Sequence, residues 1–182
     1  CSGRSDVQIY LARKDQGHLE RFIKDCGYTG KVRETNSGMV CVGIYGVPEW
    51  VRDLQRVFLI TPRKTFTLKP PNLEGDNNLA YIIGYIDGDG CISTPRTSLR
   101  YRIALSLRGT KAVLSWVKKY LDSFVKAYSW NYTVRQSKGC FQMCVSGTKA
   151  FEILSKLYTV SVPKMDRKWS KIGCLLSAGG WD

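Results

Sequence analysis

Histidine is almost missing from this sequence, acids are outnumbered by bases, and apolar runs are short. Each shortage excludes something. The single histidine, His18, gives no imidazole pair for a zinc centre. It also falls in an expected surface helix, a poor place for a general base. The seven cysteines, at positions 1, 26, 41, 91, 140, 144 and 174, are odd in number and contain no C-x-x-C pair. Neither a zinc ribbon nor a disulfide framework is expected from them. Cys140 and Cys144 fall two pleats apart on one face of an expected strand, as small half-buried thiols rather than ligands. No stretch approaches the roughly 20 apolar residues that span a bilayer, and no basic helix faces a broad apolar stripe as a membrane-surface helix would. Residues 1–6 do not resemble a secretory signal. The expectation is a soluble, intracellular chain without a membrane partner, in an organelle, a phage-infected cell or a prokaryotic cytoplasm alike.

What the chain does have is positive charge. There are 28 Lys and Arg against 15 Asp and Glu, a formal +13. Such a surplus points to a polyanion, because each phosphate neutralised by Lys or Arg releases a condensed counterion. With 43% apolar and 12% aromatic residues the composition is that of a folded protein. Its 182 residues suffice for one large or two small cores.

The chain repeats itself. Residues 6–13 and 100–107 both read as strands. In the second, Tyr101, Ile103, Leu105 and Leu107 alternate with Arg100, Arg102, Ala104, Ser106 and Arg108, a period of two with one apolar and one basic face. A helix follows each strand: Leu19, Phe22, Ile23 and Cys26 are spaced like Val113, Trp116, Val117 and Tyr120. Each helix gives way to a hairpin, turning at 36–38 and near 137–139. A second helix then carries Trp50, Leu54 and Val57 in one copy, and Phe151, Leu154 and Leu157 in the other. Each copy ends in a Pro-containing tail. Sheets with one apolar face need helices on that face, and their other face stays open. That open face carries Arg100, Arg102, Ser106, Arg108, Arg135 and Gln142 in the second copy, and Gln8, Tyr10, Lys31 and Arg33 in the first. A β-ribbon of this kind fits the DNA major groove, where Arg bonds guanine O6 and N7 in a bidentate way.

Residues 79–90, LAYIIGYIDGDG, form the sharpest local signal. Leu79 to Ile86 are apolar, Gly or Tyr, so the helix is expected to be buried on most sides. Gly84 and Gly88 share a face where another backbone can approach. Asp87 and Asp89 reach the helix C-terminus, where the dipole disfavours carboxylates and a divalent cation would relieve them. An EF-hand is excluded, since Cys91, Ile92 and Ser98 stand where that loop needs Asp or Asn, Gly and Glu. A plain helix-terminating turn remains the alternative for this stretch by itself.

The run Ile82-Ile83-Gly84-Tyr85-Ile86-Asp87-Gly88-Asp89-Gly90 resembles the LAGLIDADG motif, and the repeat around it resembles the αββαββα unit of the homing endonucleases that bear the motif. The resemblance implies an α+β fold of two such repeats, forming a saddle of two antiparallel sheets around a central helix interface. The first repeat would cover 1–68, a linker 69–76, and the second repeat 77–182. It implies Gly84 and Gly88 at the helix interface, and Asp89 with Gly88 holding Mg²⁺. It also implies Lys64 and Lys168 as catalytic companions, and double-stranded DNA as substrate, in the service of intron or intein mobility. The alternative is a catalytically degenerate relative, a maturase or regulator, that only binds nucleic acid.

Two features depart from the pattern. The first repeat has no motif helix of its own. Its mate is expected either from an upstream segment, giving a monomer, or from residues 79–90 of a second copy, giving a homodimer. The family's polar residue at the end of the long strand corresponds to Arg13 and Leu107, and a leucine cannot orient water.

Overall fold

The computed structural model describes residues 7–60, 64–94, 96–97, 100–101, 103–123, 125 and 132–177, with the backbone alone at 64, 65, 96, 97, 100 and 101. Contacts divide the chain into two units, 1–56 and 57–182. The linker stretch packs with the second unit. The amide of Asn72 donates to the carbonyl of Val57 (2.7 Å), and just before the linker Thr110 Oγ1 donates to the carbonyl of Leu68 (2.7 Å).

The first unit runs β1 (Val7–Ala12), α1 (Gln16–Asp25), β2 (Arg33–Glu34), β3 (Met39–Ile44) and α2 (Pro48–Arg56). Its antiparallel sheet has the order β1-β3-β2. Period-two alternation sorts the strands as expected: Val40, Val42 and Ile44 are buried, and Ile9, Leu11 and Ile23 pack around Leu19 of α1. The hairpin turns where Asn36-Ser37-Gly38 predicts. Gly38 supplies the positive φ (+72°), and Thr35 closes the turn through its amide to the carbonyl of Met39 (2.8 Å). In the hairpin's first arm only Arg33 and Glu34 pair with β3.

The second unit contains α3 (Lys64–Thr67), α4 (Asn77–Asp89), β4 (Gly90–Ser93), β5 (Arg96–Thr97), β6 (Arg100–Tyr101), β7 (Ala104–Gly109), α5 (Lys111–Asp122), β8 (Val134–Ser137), β9 (Cys140–Ser146), α6 (Thr148–Thr159) and α7 (Asp166–Ser177). Its main sheet has the order β4-β7-β9-β8, with β5 and β6 as a separate ribbon. The strand expected over 100–107 is therefore divided. Arg96↔Tyr101 and Thr97↔Arg100 continue the register of Ser93↔Ala104, so β5–β6 prolongs the β4–β7 hairpin past the main sheet. One face of the sheet (Ile92, Leu105, Leu107, Met143, Val145) is buried under α4, α5, α6 and α7, through Ile82, Ile83, Ile86, Val113, Val117, Ile153, Leu157, Trp169 and Ile172. At about 1.5–3 kcal/mol for each large apolar side chain buried, this is the dominant stabilising term.

Candidate nucleic-acid interface and metal-binding helix end

The helix α4 is apolar nearly all round because it packs into the second unit's core, and Ile82, Ile83 and Ile86 are fully buried. It enters β4 with no loop between. Gly90 ends the helix in an extended conformation (φ −93°, ψ 159°) and is the first residue of the strand. A Cβ there would lie 2.6 Å from the carbonyl oxygen of Ile86 and 2.9 Å from Leu107 Cδ2. Only glycine permits that approach. The direct junction fixes the two acids just before it in opposite surroundings.

Asp87 turns inward and is 4% exposed. Its carboxylate accepts from Trp169 Nε1 (2.7 Å) and from the backbone amide of Met165 (3.0 Å), tying the helix end to α7 and the tail before it. Asp89 is exposed and makes no hydrogen bond or ion pair among the described residues. Burial pushes the phenols of Tyr85 and Tyr81 up, and the charge of Asp89 adds to the push. The hydroxyl of Tyr85 stays protonated and donates to the carbonyl of Arg108 (2.7 Å).

Lys168, expected as a catalytic residue, is 7% exposed. Its Nζ donates to the carbonyls of Ile86 (2.9 Å), Asp87 (2.5 Å) and Gly90 (2.7 Å). A buried ammonium on the last carbonyls of a helix offsets the negative end of the helix dipole, which would otherwise repel two neighbouring carboxylates. Lys64, its expected counterpart, lies in α3, where the backbone alone is described. Sequence reasoning missed two further lysines beside this helix end. Lys164 donates to the carbonyls of Val160 and Val162 (3.3 Å to the latter) and lies over the Trp169 ring. Burial pushes its pKa down, an effect the Asp87 carboxylate partly offsets. Lys171 donates to the carbonyl of Ile92 (2.7 Å). The signal available for Lys164 was its place directly after Pro163 in the tail.

The sheet's open face begins where Asp89 ends. Gly90 pairs with Leu107, and Arg108 follows, in one cross-strand row with Gln142 and Arg135. Arg108 and Arg135 are exposed, and Gln142 is half-buried with its Nε2 donating to Ser106 Oγ (3.0 Å). Cys144 is exposed on this face rather than half-buried as expected, while Cys140 is half-buried. Arg100 is placed in β6 by its backbone, and Arg102 lies outside the described residues.

In the first unit, Gln8 and Tyr10 share the open face of β1, with Arg33 across the sheet through Cys41. Tyr10 OH donates to Gln8 Oε1 (2.6 Å), and Gln8 Nε2 donates to Tyr45 OH (3.4 Å). Tyr45, half-exposed and not anticipated, lies across Gly43, where a Cβ would meet its ring. Its signal was parity, since it continues the β3 strand. Lys31 is exposed and precedes β2, and Arg13 pairs with Glu34 (3.0 Å). Leu107 is fully buried, so it cannot orient water.

Gly84 and Gly88 are exposed, and a Cβ at either meets nothing within 4 Å. Among the described residues no three His, Cys, Asp or Glu side chains gather as a metal cluster. The helix end nonetheless offers hard oxygen donors, the Asp89 carboxylate and the neighbouring Gly88 carbonyl, of the type Mg²⁺ and Ca²⁺ take. They are a partial set, since these ions bind about six or more oxygens.

No family model and no curated protein sequence matches the chain. Solved structures do. I-AabMI, a LAGLIDADG meganuclease bound to uncleaved DNA, is 15% identical, with a TM-score of 0.60 over 95% of this chain and 80% of that one. I-SmaMI bound to an uncleaved DNA target in the presence of calcium ions is 9% identical, with a TM-score of 0.59 over 95% and 81%. The same LAGLIDADG homing endonuclease bound to cleaved DNA gives 9% and 0.58 over 95% and 79%. At such identities the likeness is one of fold. The chain has the α+β fold of the LAGLIDADG homing endonucleases.

Proposed function

We propose, from that shared fold, that this chain is a sequence-specific endonuclease that cuts duplex DNA by divalent-metal-dependent phosphodiester hydrolysis. The observation that carries the reading is the junction of α4 with β4. It sets an exposed carboxylate, Asp89, which no described residue pairs, at the end of a sheet face whose described residues include arginines and no acid. Asp89 and the Gly88 carbonyl would hold Mg²⁺. Bound there, the ion would supply charge neutralisation at the phosphoryl oxygens and an acidified water. Lys168 would hold the helix end so that Asp89 points outward, and Lys64 would meet a phosphate. The open glycine face of α4 would receive a second motif helix, from an upstream segment or from another copy, and that helix would bring the second carboxylate. Intron or intein mobility is the biological setting this reading proposes.

The test is cleavage of a barcoded library of genomic duplex fragments with Mg²⁺ and with Ca²⁺, comparing the chain with Asp89→Asn. Discrete double-strand cuts with Mg²⁺ that vanish in the variant are expected. Selective binding without any cutting, both by this chain and by the chain preceded by a motif helix with its own carboxylate, would overturn the enzyme reading. It would favour a catalytically degenerate, nucleic-acid-binding maturase or regulator. One observation supports that second reading: the Lys168 ammonium is engaged by three backbone carbonyls of its own fold.

A further inference from the structure

The open face of the second unit's main sheet is ordered in rows, and the rows differ in chemistry. Nearest the α4 end lies Arg108–Gln142–Arg135. The next row outward is Cys91–Ser106–Cys144, and the one after it Ser93–Ala104–Ser146. Alternate residues on the same strands, Ile92, Leu105, Leu107, Met143 and Val145, are buried, so parity turns all three rows toward solvent.

We propose that the first two rows read different features of a duplex two base pairs apart, the arginine row taking guanine and the thiol row taking the C5-methyl of thymine. This rests on the duplex-DNA reading above. In the first row, the Arg108 guanidinium makes no hydrogen bond or ion pair among the described residues. Among the described residues, Arg135 engages only its Nε, with Thr133 Oγ1 (3.0 Å). No acid stands in any of the three rows. Two guanidinium forks that no described carboxylate engages are matched to the paired acceptors O6 and N7 of guanine.

The second row has the opposite character. Cysteine is among the residues most often buried, yet Cys91 and Cys144 are both exposed and unbridged, one on each side of Ser106. A thiol is a soft, small, weakly hydrogen-bonding group. Against a groove floor its favourable contact is the apolar thymine methyl. Gln142 ties the rows together through its bond to Ser106. Rows two residues apart on a strand are separated by about 6.7 Å, twice the roughly 3.4 Å spacing of successive phosphates' base pairs along the duplex. The two readouts therefore fall on base pairs separated by one intervening pair.

Binding-site selection from a randomised duplex library with the full chain tests this. The enriched duplex is then remade with deoxyuridine in place of thymidine, which removes only the methyl group. The substitution is expected to weaken binding of the wild type about four-fold, the value of one buried methyl. It is expected to leave the Cys91→Ser/Cys144→Ser variant unaffected. Arg108→Lys keeps the charge but loses the fork, and is expected to lower the guanine preference at one position about ten-fold. These side chains lie outside the core, so unchanged thermal melts are expected and separate recognition from folding. If no duplex is enriched, the DNA reading fails and this inference with it. If duplexes are enriched but deoxyuridine is tolerated, the thiol row is overturned while the DNA reading stands. An unaltered guanine preference in Arg108→Lys overturns the arginine row in the same way.

Discussion

Two aspartates two residues apart do different work because of where the helix stops. The Asp87 carboxylate takes an indole N–H and a backbone amide in the core. An asparagine there would turn a donor against one of those donors. Asp87→Asn is therefore expected to lose about 2–4 kcal/mol of stability, the range for a charged hydrogen bond broken in a buried site. Asp89→Asn is expected to change stability by no more than about 0.5 kcal/mol, as for other exposed sites. If anything it should gain slightly from removing a negative charge at a helix C-terminus. Urea denaturation of both variants decides the point, and equal losses would contradict the assigned environments. The same contrast separates fold from chemistry in the cleavage assay, because only the Asp89 variant is expected to arrive there fully folded.

At the scale of an element, α4 has a closed end and an open side. Gly90 is crowded by the Ile86 backbone and Leu107, whereas Gly84 and Gly88 face open space. Gly90→Ala is expected to destabilise the chain by about 1–3 kcal/mol through overpacking. Gly84→Ala is expected to raise the stability of the chain by about 0.5–1 kcal/mol through helix propensity, since nothing stands where the methyl would go. Thermal denaturation of the two variants reads both signs. A destabilised Gly84→Ala would show that this face is already packed in solution, and sedimentation of that variant would then reveal which association the methyl breaks.

For the whole molecule, net charge sets the way DNA binding must respond to salt. With +13 overall, a chain contacting about 6–10 phosphates loses roughly 10³–10⁵-fold in affinity between 50 and 200 mM salt. Fluorescence anisotropy with a labelled duplex over that range is expected to give a steep, linear log–log dependence. A flat response would mean that the basic surplus does not meet phosphates. The charge is spread over both units: Lys31 and Arg33 lie in the first, Arg108 and Arg135 in the second. Neutralising one unit's set should reduce the slope without abolishing it.

The sequence by itself determined the repeat, the alternation of each sheet, the turns at Gly38 and Gly139 and the buried character of α4. These follow from periods of two and 3.6 and from local backbone preference, which a linear reading can see. The resemblance added the fold and singled out Asp89. Tertiary structure alone decided the rest. Asp87 and Lys168 owe their roles to bonds across 78 to 82 positions of chain, which no local pattern encodes. The expected strand over 100–107 is interrupted because the β4–β7 hairpin outruns the main sheet, an outcome of pairing rather than propensity. Cys91 and Cys144 look like ordinary small residues until cross-strand register sets them on either side of Ser106. Periodicity fixes which face a side chain is on; only register and packing fix its neighbours, and the chemistry of a site is made by neighbours.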